Sequence, residues 1–207
     1  MRILLTVLVG LLIFSCNTTT EKTTNETKVK LETEEPVEKS NSESTEFEFS
    51  DFKIMNGQLG PIKVGMTIQE AESQFDGLTK KEDEAVNFGF GGGSPAYLYY
   101  SGDEILFGFI PSLGTDTLLF IIAAHKNLQT TNGLNPNSTV KELLKKYPDL
   151  MVNQDLMNSW EYFQDTTNSW DFVFMTDEQT EIGEYPDLEN PSKPKRLTTK
   201  TDWITIR

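Results

Sequence analysis

The chain has 207 residues, with 32 Asp and Glu against 18 Lys and Arg, a formal net charge of −14 at pH 7, one cysteine and one histidine. An acidic balance of this size repels nucleic acid and anionic lipid, so neither is an expected partner. One Cys and one His exclude an internal disulfide and a multi-ligand zinc site, and no cofactor is expected.

The first segment reads Met1, Arg2, an almost wholly apolar run over 3–14, then Ser15 and Cys16. One positive charge, a short apolar stretch and a small residue before the cut predict a secretory signal; the stretch is too short to span a bilayer. Ile13, Ser15 and Cys16 resemble the lipobox of bacterial lipoproteins. The resemblance implies that 1–15 is a lipoprotein signal peptide and that Cys16 is lipidated and becomes the first residue. An ordinary signal with an incidental cysteine is the alternative. Acyl chains on Cys16 would explain an unpaired thiol in an exported chain, and two or more such chains hold a protein on a membrane stably. Asn17 rather than Asp follows, which resembles the sorting signal for the outer membrane in enteric bacteria.

Residues 16–45 then read as a disordered tether, rich in Thr, Glu, Lys, Ser and Asn and nearly without apolar side chains. As a flexible coil the tether would reach roughly 30 Å root-mean-square. A globular domain is expected over 46–207, in the periplasm or at the cell surface, with 13 basic and 25 acidic residues of its own.

Within it the clearest signal is an internal repeat. Ile62-Lys-Val-Gly-Met-Thr67-Ile68-Gln-Glu70-Ala71 is echoed, 72 residues on, by Leu134-Asn-Pro-Asn-Ser-Thr139-Val140-Lys-Glu142-Leu143. Each copy carries Thr before an aliphatic residue and Glu three places later, the signature of a capping box. Ile68, Ala71 and Phe75 share one face of the first predicted helix; Val140, Leu143, Leu144 and Tyr147 share one face of the second. Strands are predicted at 86–90, 97–100, 105–110 and 118–123, and again at 151–153, 160–163, 170–175 and 203–206. The polar stretch 176–196, with three prolines, predicts a long loop. The expected class is α+β. It would be a tandem repeat over about 58–125 and 130–207, each unit a short capped helix followed by an antiparallel three- or four-stranded meander, with the helices on one face.

The run Ile62-x-Val-Gly-Met-Thr67-x-x-Glu70-Ala71 resembles the small envelope lipoproteins of the β-barrel assembly machinery. It is also similar to the tandem-repeat β-lactamase inhibitor proteins. Both resemblances imply helix-plus-meander units used to bind other proteins. The motif itself caps a helix and carries no chemistry.

Candidate sites come from the remaining residues. Gly89-Phe-Gly-Gly-Gly-Ser94 lacks the Lys and the following helix of a phosphate cradle and reads as a loop. His125 has no Gly-x-Ser-x-Gly turn to serve. The acidic run 177–189, with Asp177, Glu178 and Glu181 as candidate ligands, offers hard oxygens to a divalent cation, in no calcium-loop spacing. Aromatic residues alternate at strand period in Tyr97/Tyr99, Trp160/Tyr162 and Trp170/Phe172/Phe174; those left on an uncovered sheet face would anchor an interface. The expectation is therefore a lipid-anchored, non-enzymatic module that binds an envelope or secreted protein through Tyr97, Tyr99, Trp160, Tyr162 and Trp170. The alternatives are a small-molecule or cation binder using 177–189, and a carboxylate-based hydrolase.

Overall fold

Alternating aromatic and β-branched residues build the core of this protein on sheet. The computed structural model describes residues 47–186 and 190–207. Cys16, the signal, the tether, Asp187 and Glu189 lie outside the described residues. In chain order the elements are β1 (Ile54–Met55), β2 (Gln58–Leu59), β3 (Ile62–Lys63), α1 (Ile68–Glu72), β4 (Thr79–Glu84), β5 (Pro95–Ser101), β6 (Glu104–Pro111), β7 (Leu118–Ala123), α2 (Val140–Lys146), β8 (Asn153–Asp155), β9 (Trp160–Asp165), β10 (Trp170–Phe174) and β11 (Trp203–Ile206). Strands β1 to β3 form one small antiparallel sheet. The other eight form a second, in the order β4-β5-β6-β7-β11-β10-β9-β8. No described helix is long and apolar enough to cross a membrane.

This corrects the expected class. The protein is mostly β: the described residues form an eight-stranded and a three-stranded sheet and two helices of five and seven residues, not an α+β tandem of helix-plus-meander units. The reason is the pairing of β7 with β11, which joins Ile121, Ile122 and Ala123 to Ile206, Thr205 and Ile204. The strands on either side therefore belong to one continuous sheet. The helices also share their layer: β1 to β3 contribute Ile54, Leu59 and Ile62 to the same core as Ile68, Ala71, Val140 and Leu143.

Both predicted capping boxes form. The Thr67 hydroxyl accepts from the Glu70 N–H, and Glu70 accepts from the Thr67 N–H at 2.8 Å; Thr139 and Glu142 repeat this at 2.7 Å. Those bonds satisfy helix-start donors that would otherwise lack partners, and they hold both glutamates below the usual carboxylate range.

The sheet buries two faces. The inner face carries Phe107, Phe109, Phe172, Phe174 and Trp170, all fully buried under the helices and the small sheet. Burying each such side chain stabilises by about 1.5–3 kcal/mol. The outer face carries a smaller cluster of Ala96, Leu98, Ile110, Ile122 and Trp203. It is covered by residues 85–90. Here the predicted strand is in fact a 3-10 turn, Ala85–Phe88, closed by Gly89 in the left-handed region at φ 85°. That turn lays Phe88 edge-on against Trp203 at 5.6 Å and stacks Phe90 on Phe120 at 4.3 Å.

Candidate functional site

The outer-face site is built by a short motif that occurs twice. Asp155-Leu-Met-Asn158-Ser159-Trp160 turns β8 into β9, and Asp165-Thr-Thr-Asn168-Ser169-Trp170 turns β9 into β10. In each, the aspartate Oδ1 accepts two backbone N–H groups and Oδ2 accepts the asparagine amide, while the serine takes a left-handed φ of 58° or 57°. An aspartate that hydrogen-bonds its own turn fixes a tight hairpin. Both aspartates face the following tryptophan across the ladder. Strand β9 is six residues long, so the two turns fall on opposite faces. Asp155 and Trp160 therefore sit outside, and Asp165 and Trp170 inside.

Between the first turn and residues 88–90 the outer face opens into a cleft of about 350 Å3. Its lining includes Phe88, Phe90, Trp160, Tyr162, Asp155 and Asp171. Trp160 meets Trp203 edge-on at 5.3 Å, so the wall continues into the outer cluster. Gly89 closes one side: a Cβ there would lie 3.5 Å from Asp155 Oδ2 and 3.8 Å from the Trp160 ring. At the rim Leu156 is 48% and Met157 89% exposed.

The floor is polar. Asp171 Oδ1 accepts from Arg207 Nη2 at 2.9 Å and from Gln164 Nε2 at 3.1 Å. Among the described residues no hydrogen bond reaches Asp171 Oδ2 or the Tyr162 hydroxyl. Burial pushes the Asp171 carboxyl up, against the opposing pull of Arg207 and Gln164. Burial raises the Tyr162 phenol too, with the charges of Asp171 and Asp155 adding to it.

Of the five aromatic candidates, Trp160 and Tyr162 line this cleft. Tyr97, Tyr99 and Trp170 lie on the other face. Tyr99 is buried and donates to Glu72 at 2.7 Å; Trp170 is fully buried and donates from Nε1 to the Met55 carbonyl at 3.0 Å. Tyr97 is half-buried beneath Lys80, whose Nζ stands 4.0 Å from the ring centre. Tyr99 and Trp170 thus belong to the core, and Tyr97 packs against it.

The acidic run is described over 177–186. Asp177 closes a local turn, accepting from Gln179 N, Thr180 N and the Thr180 hydroxyl. Glu178 is exposed, and Arg196 donates to the carbonyls of Glu181 and Gln179. Among the described residues no three His, Cys, Asp or Glu side chains are placed to hold a metal ion. The stretch is instead fastened by Glu161, a residue the sequence reading passed over. Its buried carboxylate accepts from Ile182 N at 2.6 Å, Gly183 N at 2.8 Å and the Tyr185 hydroxyl at 2.6 Å. An acidic residue at an inward position of β9 was the available signal.

His125 is engaged on both nitrogens. Nδ1 accepts from Asn127 N at 3.2 Å, which leaves the proton on Nε2, 3.0 Å from Glu104. Phe49 stacks on the ring at 4.6 Å.

The chain is similar to a solved structure, that of the uncharacterized protein yfeY from Escherichia coli. It has 14% sequence identity and a TM-score of 0.51, covering 75% of this chain and 99% of that one. At that identity the likeness is one of fold alone. No protein-family model and no curated protein matches the chain.

Proposed function

We propose that this chain is a non-enzymatic, lipid-anchored protein of the bacterial cell envelope that binds a protein partner through the outer face of its large sheet. The observation that carries the reading is the cleft beside Trp160 and Tyr162. It is concave, walled by aromatic rings and rimmed by the exposed Leu156 and Met157. Aromatic residues in a partly dry pocket are the usual anchors of protein interfaces, and an apolar rim excludes water around them.

Two titratable side chains are tied into local hydrogen bonds, which suits a structural role for them. Both oxygens of Asp155 accept hydrogen bonds within their own turn, and both nitrogens of His125 are occupied. Anchoring through Cys16 would place the domain on a surface at high effective concentration for a partner on the same membrane.

Site-directed photo-cross-linking in intact envelopes tests the reading. A cross-linker at Met157 or Leu156 should capture one discrete protein, while one at the exposed Lys141 on α2 should not. Equal capture at the two sites, or none at either, would overturn it.

A further inference from the structure

Deepening that reading, we propose that the cleft receives a cationic N–H-rich group, a guanidinium or alkylammonium, supplied by an Arg or Lys side chain of the partner. Five observations converge on this chemistry. Two carboxylates, Asp155 and Asp171, face one cavity, in a domain that is itself strongly acidic. Of the four carboxylate oxygens, three have donors, and Asp171 Oδ2 has none among the described residues. The Asp171 side chain remains 17% exposed, so the free oxygen is reachable. The Tyr162 hydroxyl stands on the adjacent strand, also without a partner among the described residues, and can accept. The walls around these acceptors are the faces and edges of Trp160, Phe88 and Phe90.

Such a cationic side chain answers all of these together. Its N–H groups match the vacant acceptors in a charge-assisted pair, and its π face or methylene stem lies against aromatic rings. An anion would be repelled by both aspartates. The protein already shows the preference, since Arg207 donates to Asp171 Oδ1. The volume of about 350 Å3 admits one long side chain and not a folded peptide.

The inference rests on the protein-binding reading for the source of the cation, and the two can fail separately. Full-length protein in detergent would be titrated with Nα-acetyl-arginine amide while the three Trp indole N–H resonances are followed. The expected result is a saturable shift of Trp160 with Trp170 unmoved, weakened at least about tenfold in Asp171→Asn and less in Tyr162→Phe. Tyr162→Phe keeps the ring and guards against an Asp171 variant that fails to fold. The neutral isostere Nα-acetyl-citrulline amide and N-acetylglucosamine serve as arms. No saturable shift with arginine amide, or an equal shift with either neutral probe, overturns the proposal. If arginine amide binds but cross-linking at Met157 captures nothing, the site takes free amines and the source is wrong. If cross-linking succeeds equally in Asp171→Asn and arginine amide does not bind, the protein-binding reading stands and the cation assignment falls.

Discussion

The Glu161 carboxylate receives the Tyr185 hydroxyl at 2.6 Å, across 24 residues of chain. The same carboxylate holds the Ile182 and Gly183 amides, so one buried acid fastens the start of the long loop to strand β9. Glu161→Gln would replace one acceptor oxygen with a donor that faces another donor. Hydrogen bonds to a buried charged group are worth about 1.5–3 kcal/mol, and that loss is expected in chemical denaturation. Limited proteolysis should then cut first within 176–186. Tyr185→Phe removes one bond of the three and should cost about 1 kcal/mol.

The capping boxes give a matched pair of predictions. Thr67→Ala and Thr139→Ala each remove the hydroxyl that accepts from the third helical N–H. Each should destabilise by about 1 kcal/mol, which lowers the melting temperature by roughly 2–4 °C in a chain of this size. The two helices are short and separately capped, so the double variant should show nearly the sum; calorimetry of the three variants measures it.

What the sequence made legible, and what it hid, follows from how far each signal reaches along the chain. The helix starts are local, since Thr and Glu three residues apart define the box, and both boxes form. Strands β7 and β11 were legible because Leu118–Ala123 and Trp203–Ile206 are dense apolar runs. The pairing between them is a contact across more than 80 positions, and no local pattern carries it. That pairing decides the class, which is why an α+β tandem was expected and a mostly-β sheet is found. Strand β4 was hidden because Thr-Lys-Lys-Glu-Asp-Glu is polar throughout: it is an edge strand with little buried side chain, where charge guards the open edge. At the site, alternation correctly grouped Trp160 with Tyr162 and Tyr97 with Tyr99, but parity alone does not say which group faces the helices.

Alkaline pH should unfold the protein through its tyrosines. Burial raises the phenols of Tyr99, Tyr147 and Tyr185, and each is raised further by the carboxylate it donates to, Glu72, Asp165 and Glu161 respectively. A group whose folded pKa exceeds its unfolded value contributes stability that is intact below the unfolded pKa, near 10 for tyrosine, and lost as pH rises above it. Stability should therefore fall steadily above about pH 10. Tyrosinate absorbance should lag for these three and appear together with loss of the near-ultraviolet circular dichroism. Early, complete titration while the sheet is intact would contradict the buried pairs.

Gly60 has main chain pressed closely against it. Its φ is +55°, and a Cβ there would meet the Asp51 carbonyl and sit 2.9 Å from the Phe52 Cα. Both obstacles are main chain and cannot swing aside. Left-handed strain alone costs a non-glycine residue about 1–2 kcal/mol. Gly60→Ala should exceed that figure in denaturant titrations, and the damage should centre on β1 to β3, seen as faster amide exchange at Ile54 and Gly60.

Cys16→Ala tests the anchor, and with it the reason for reading this chain as a binding module. If the cysteine carries acyl chains, its loss should move the protein from the membrane pellet to the soluble fraction, with the domain still folded. The partner captured at Met157 should then fall in yield although the cleft is unchanged, because tethering raises effective concentration without adding a contact. Adding the soluble variant in excess should restore capture. Retention in the membrane would remove the lipid anchor, and undiminished capture from the soluble fraction would show that the cleft alone supplies the affinity.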